Sequence, residues 1–450
     1  MALDRLAPEL LYSVLSLLDS PQDLYSLIRA SPACLQAFLA SRGLILTSVI
    51  RNGLSPDAVH HALALLHTPK LHADLDYLNL QEVKAFLDQY FNQADSWSFP
   101  KDLPNIISLM RFTARVFRFV DKFFDSALQT LGTFQKHDGS WPLSPTERAR
   151  LQRAFLRFEL YCQLCPAFEC YPPEPFFSPD LQFRYFLAKL EPWEAEEISC
   201  IHEYFTINIG QYIADLQDRF LQAVLENPQL RAPPNHDLRG GRVNNQDDSE
   251  RDEGEDMEYF HELDISDLAL FSTDCRYRLQ EVAGFMASLG LEFLEGLMSS
   301  DTDRRWDIIR RNSPRTRGFL PEALHCSPNT LSPTIPPEGD FENDSSRPGK
   351  GWFDFKGSPY DEYISILFGS SVHRILCICG YVFWDCERIS HPTVREAFKT
   401  VRKMREAEMP RLYNPSVGQS AEEQLKGFQL PKSQMLKITQ EFGSIWLAGG

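Results

Sequence analysis

Pro8-Glu9-Leu10-Leu11-Tyr12-Ser13-Val14-Leu15-Ser16-Leu17-Leu18, then Ser20-Pro21-Gln22-Asp23-Leu24-Tyr25-Ser26-Leu27-Ile28, then Ser31-Pro32-Ala33-Cys34-Leu35-Gln36-Ala37-Phe38-Leu39: the fold is read from this run. Leu10, Leu11, Val14, Leu15 and Leu18 recur at the spacing of one helical face, with Pro8 in the first turn, where its missing N–H costs nothing. Ser20-Pro21 and Ser31-Pro32 are each a capping hydroxyl followed by a proline at the first helical position, and Asp23 suits the positive end of a helix dipole. Leu24, Leu27 and Ile28 form the apolar stripe of the second segment, and Leu35, Phe38 and Leu39 that of the third. The spacing predicts three short helices between residues 8 and 41.

The same punctuation continues outward. Ser55-Pro56-Asp57 opens another helix, and in Ser144-Pro145-Thr146-Glu147 the glutamate completes a capping box. Ile106, Met110, Val116, Phe117, Val120, Phe123, Phe124 and Leu128 trace one face of a long helix. Ile198, Ile201, Phe205, Ile209, Tyr212, Ile213, Leu216, Phe220 and Val224 predict a second, and Leu268 through Phe293 a third. No series of alternating runs joined by Asn-Gly or Asp-Gly turns occurs, so the expected class is mainly α.

A chain of 450 residues exceeds what one core usually supports. The expected layout is a three-helix module over 1–45, a helical body over 46–230, an acidic disordered linker over 231–260, a long helix of the body over 261–300, a Pro-rich loop over 301–359 and a C-terminal helical segment over 360–450. Residues 247–258 hold eight acids and one Arg, a composition that stays solvated. Eight prolines and no helical period between 301 and 360 predict the loop, whose Ser-Pro pairs include Ser313-Pro314 and Ser327-Pro328.

Forty-five basic against sixty-two acidic residues give a net charge of −17, which repels a phosphate backbone, so neither nucleic acid nor an anionic membrane is an expected partner. No stretch of about 18 uncharged apolar residues predicts a membrane span. Ten irregularly spaced cysteines fit reduced thiols, and the expected compartment is cytoplasmic or nuclear.

Leu3-x-x-Leu6-x-Pro8-Glu9-Leu10-Leu11-x-x-Val14-Leu15-x-x-Leu18, followed by Asp23-Leu24-x-x-Leu27 and Ala30-Ser31, resembles the F-box. Ala7 stands where that family usually has proline, and the third segment carries Cys34, Leu35 and Phe38 in place of a Trp. Pro192-Trp193-Glu194-Ala195-Glu196-Glu197-Ile198 and Gly380-Tyr381-Val382-Phe383-Trp384-Asp385 look like segments of fungal F-box-like proteins. The resemblance implies a module that docks a Skp1-like adaptor, with the rest of the chain recruiting a protein substrate to a cullin-based ubiquitin ligase. The partner-binding residues it implies are Leu6, Pro8, Glu9, Leu10, Leu11, Val14, Leu18, Leu24 and Leu27. A helical structural or interaction protein without a ligase role is the alternative.

Sites for chemistry are sparse. No Gly-x-Gly-x-x-Gly, Walker, His-Glu-x-x-His or Gly-x-Ser-x-Gly pattern occurs, and no catalytic, cofactor or metal residue is expected. Cys162-x-x-Cys165 with Cys170, and Cys377-x-Cys379 with Cys386, are read as core packing, because neither has an evident fourth ligand. His60 and His61 are neighbours on a helix and cannot converge on one ion. Glu196 and Glu197 are expected to point to different sides of a helix, and His202-Glu203 to belong to an ordinary helix face.

Overall fold

The computed structural model describes residues 6–69, 77–92, 97–134, 142–166, 177–226, 275–312, 319–325, 344–355 and 371–403. The acidic segment 231–260 and the end of the chain beyond residue 403 lie outside the described residues, as do Ser313-Pro314 and Ser327-Pro328. The fold is mainly α, with no strand among the described residues. The chain divides into two compact units. The first comprises Met1–Thr206, Gly284–Ser299 and Pro314–Pro410, and the second Ile207–Ala283, Ser300–Ser313 and Arg411–Gly450.

The opening run forms α1 (Pro8–Ser16), α2 (Pro21–Ala30) and α3 (Pro32–Gly53). The Ser20 and Ser31 hydroxyls accept the N–H groups of Asp23 and Cys34, each at 3.2 Å, which satisfies donors that a helix start leaves unpaired. α3 outruns its predicted end. It kinks at Ser41 (φ −139°, ψ 32°) and continues because Ile45, Leu46, Val49 and Ile50 have a core to enter, where α3 packs against α6 (Leu103–Phe134). By length and composition α3 is apolar enough to cross a membrane. The Asn52 amide donates to the Ser16 and Leu18 carbonyls at 2.8 and 3.0 Å, tying the end of α3 to the end of α1. Residue 45 is therefore no domain boundary: the module and the body share one unit.

Further along the first unit come α4 (Pro56–Leu66), α5 (Tyr77–Asn92), α7 (Pro145–Leu164), α8 (Pro179–Tyr185) and the start of α9 (Pro192–Glu226). On α6 the predicted face is buried at Ile106, Met110, Val116, Val120 and Phe123. Phe119 and Phe123 meet Phe155 and Phe205 in edge-to-face and stacked pairs, with centroids 5.1–6.2 Å apart. Each ring so buried contributes about 1.5–3 kcal/mol.

The single helix expected over 261–300 is two, α10 (Cys275–Ser288) and α11 (Gly290–Ser299), which turn by 116°. Gly290 has φ +84°, a conformation that a side chain would strain. The Glu159 carboxylate accepts the Leu291 N–H at 2.6 Å and so serves as a cap from a different helix. Residues 261–274 lie outside the described set.

The stretch 301–359, expected as one loop, contains three helices among its described residues. These are α12 (Thr302–Arg311) in the second unit, and α13 (Leu320–His325) and α14 (Lys350–Phe355) in the first. Asp301 caps α12 by accepting the Arg304 N–H at 2.9 Å. α13 and α14 span six residues each, too few for a hydrophobic period to show in sequence. The described part of the C-terminal segment holds α15 (Ser371–Ile378), α16 (Cys386–Ser390) and α17 (Pro392–Lys403). Gly380, at φ +69°, turns the chain after α15, where a Cβ would meet Trp384 Cζ2 at 2.5 Å.

The centre of the first unit is α7, although its sequence reads as polar. Glu147, Arg150, Gln152, Arg153, Arg157 and Glu159 are all buried there, among Leu151, Phe155, Phe158 and Tyr161. A buried charge is stable only when paired and hydrogen-bonded, and α7 obtains its partners from segments distant in the chain. The Arg150 guanidinium donates to the Arg347 and Phe383 carbonyls at 2.9 and 3.0 Å and pairs with Asp385. Arg153 grips Glu197 through two bonds of 2.6 and 3.0 Å. Arg157 pairs with Glu194 at 2.8 Å, and Arg388 with Glu147 at 2.6 Å. Gln152 donates to the Gly53 carbonyl at 2.8 Å and accepts the Ser55 N–H at 3.1 Å.

Candidate functional site

Two places in the first unit hold groups that packing alone does not account for. One is the outer surface of α1–α3. Among the residues whose side chains are described, every exposed large hydrophobic lies between Leu6 and Leu44: Leu6, Leu10, Leu17, Tyr25, Leu35, Leu39 and Leu44. Leu35 and Leu39 are four residues apart on α3 and share a helix face, while Leu17 lies just past the end of α1, which carries Leu10. The two helices pack against each other.

The residues that the F-box resemblance implied divide into three groups. Leu6 and Leu10 are exposed, at 36% and 54%, and Pro8 and Glu9 are exposed beside them. Val14, Leu18 and Leu27 are half-buried. Leu11 and Leu24 are buried, at 3% and 4%, so they hold the three helices together and have no surface to offer a partner. Leu17, Tyr25, Leu35, Leu39 and Leu44 complete the exposed set. Helical periodicity could not separate the exposed leucines from the inward ones, because both rows are leucine.

The second place lies between α9 and α15. Glu196 and Cys200, one turn apart on α9, face His373 and Cys377, one turn apart on α15. All four are buried. His373 Nε2 lies 3.3 Å from Glu196 Oε1 and 3.2 Å from Cys377 Sγ, and Cys377 Sγ lies 3.6 Å from Glu196 Oε1. The Tyr381 hydroxyl donates to Glu196 Oε1 at 3.0 Å. Burial drives the Cys377 thiol and the Tyr381 hydroxyl well above their ordinary pKa values, and pushes the Cys200 thiol up to about 11. Burial opposes charge on His373, but Cys377 and Glu196 beside it raise its pKa to about 9.

One turn further along α9, His202 and Glu203 have separate surroundings. Burial lowers His202 to about 4, and its Nε2 lies 3.5 Å from the Thr206 hydroxyl. Burial would raise Glu203, yet Arg374 at 2.7 Å holds it below the usual carboxylate range. Glu196 and Glu197 do point apart, the first to His373 and the second to Arg153.

The other thiol and histidine constellations form no comparable set. Cys162 and Cys165 are buried with raised pKa values, caused first by burial, and Cys162 donates to the Ala287 carbonyl at 3.6 Å. Cys170 lies outside the described residues. His61 Nδ1 is hydrogen-bonded to the Tyr90 hydroxyl at 2.8 Å, while His60 Nε2 lies 3.3 Å from the Tyr90 carbonyl. Sequence reading missed the α9–α15 cluster because Glu196 and Cys377 are 181 positions apart. The available signal was an i, i+4 pair of ligating residue types on each of two helices. Comparison of the chain with models of known protein families, with curated proteins and with solved structures finds no match in any of the three.

Proposed function

We propose that this chain is a non-enzymatic interaction protein whose first three helices dock a Skp1-like adaptor through Leu6, Leu10, Leu17, Leu35 and Leu39. On this reading the remaining helices receive a protein substrate for a cullin-based ubiquitin ligase. The observation that carries the reading is the concentration of exposed large hydrophobics around α1–α3, while the other large hydrophobics whose side chains are described are at least half-buried. An apolar surface of this kind is what a partner covers, and each leucine withdrawn from water contributes about 1.5–3 kcal/mol. The alternative, a structural protein in which α1–α3 only cap the helical core, draws support from the inward burial of Leu11, Leu15 and Leu24.

The test is capture of a purified Skp1-like adaptor by the full chain. Wild type should retain it, and the double variant Leu10→Asp/Leu39→Asp should not, with an unchanged thermal midpoint. Leu24→Asp, at a buried position, should instead lower the midpoint. Failure of the wild type to retain the adaptor, or equal retention by the double variant, refutes the docking reading.

A further inference from the structure

We propose that Glu196, His373 and Cys377 bind a zinc ion that clips α9 to α15. The proposal does not depend on the docking reading.

The three ligand atoms Glu196 Oε1, His373 Nε2 and Cys377 Sγ all lie within 4.8 Å of one another. Tetrahedral zinc, with its usual bonds to sulfur, nitrogen and oxygen, sets neighbouring ligand atoms roughly 3.4–3.6 Å apart. The separations here are 3.2, 3.3 and 3.6 Å, so the three atoms already trace one face of such a tetrahedron. A fourth position remains for a solvent molecule, the arrangement of a zinc with three protein ligands. His373 and Cys377, at i, i+4 on one helix, and Glu196 on the facing one bring three side chains to one point, which adjacent residues on one helix cannot do.

The donor set selects the ion. A thiolate, an imidazole and a carboxylate match zinc, whereas calcium and magnesium require all-oxygen shells. Binding proceeds with loss of the Cys377 thiol proton to solvent, a neutral imidazole bound through Nε2, and the carboxylate bound as it stands. No redox step is involved. Tyr381 orients the carboxylate from outside the coordination shell through its 3.0 Å hydrogen bond. All three protein ligands are buried.

The experiment uses the full chain without a polyhistidine tag. Elemental analysis should find one zinc per chain that survives dialysis. After chelator stripping, cobalt(II) should restore one equivalent of bound metal with a thiolate-to-cobalt charge-transfer band. Cys377→Ser should lose the metal and the band, while Cys379→Ser, a buried cysteine outside the cluster, should keep both. Tyr381→Phe should keep the stoichiometry but weaken retention against a chelator by roughly tenfold or more, which a role in packing alone would not produce. The wild-type cobalt spectrum stands even if Cys377→Ser does not fold. A wild-type chain that carries no metal and develops no band with cobalt overturns the proposal. So does a Cys200–Cys377 disulfide in the native protein, or a band that survives Cys377→Ser.

Discussion

Replacing Glu197 by Gln should be among the most damaging single changes in this protein, although it preserves the shape of the side chain. Glu197 and Arg153 are 0% and 3% exposed, and two hydrogen bonds of 2.6 and 3.0 Å join them. In Glu197→Gln the amide oxygen still accepts one N–H, but the amide nitrogen turns a donor toward the other. The guanidinium then keeps its 2.6 Å bond to the Ser345 carbonyl but loses the carboxylate that neutralises it. Removing one partner of a buried pair costs roughly 3–5 kcal/mol, because a charge is left inside without its counterion. Against a net stability of about 5–15 kcal/mol this is a large fraction. With a urea slope near 3 kcal/mol/M, it lowers the unfolding midpoint by roughly 1–2 M. The assay is urea unfolding followed by tryptophan fluorescence. Arg153→Met/Glu197→Leu removes both charges and should recover part of the loss, limited by the Ser345 carbonyl that forfeits its donor. Asp180→Asn, at the exposed pair with Arg184, should leave the midpoint unchanged. A Glu197→Gln midpoint within the range of that surface control, or a double variant as damaged as the two single changes combined, refutes the reasoning.

Gly380→Ala should destabilise by about 1–3 kcal/mol, since φ is +69° and the added Cβ would overlap Trp384; an unchanged thermal midpoint would show that the turn relaxes freely. Acid should weaken the fold through His202. Its pKa falls from 6.5 in the unfolded chain to about 4 in the folded one, chiefly through burial. The stabilisation is complete above about pH 6.5 and is lost as pH falls toward 4, where it has cost about 3 kcal/mol. In His202→Asn this contribution is absent, so wild type should lose stability relative to the variant across that window. A wild-type-minus-variant difference that is flat with pH would exclude His202 as the group responsible.

The helical class, the Ser-Pro helix starts and the capping box at Ser144 were legible because each rests on neighbours within about four residues. Ser20 and Ser31 cap as read, and the Ser144 hydroxyl accepts the Glu147 N–H at 3.1 Å while the glutamate reaches back. The division of the N-terminal leucines into inward and outward rows was not legible. Leu10 and Leu11 are identical to a periodicity argument, and only the placement of α3 leaves one exposed and the other buried. The break at Gly290 escaped notice because its cap, Glu159, is 132 positions away.

The largest difference concerns charge. In sequence, the arginines and acids of α7 suggest a solvated helix face, since burying a lone charge is prohibitive. Tertiary structure reverses that sign by bringing Asp385, Glu197, Glu194 and Arg388 to them from other helices. The cluster of Glu196, His373 and Cys377 arises in the same way, from two helices whose side-chain types are unremarkable alone. Local spacing determined where helices begin and which of their faces are apolar, because those depend on backbone geometry over one or two turns. Which polar groups enter the core, and what they meet there, depends on partners more than a hundred residues distant, and only the packed structure decided it.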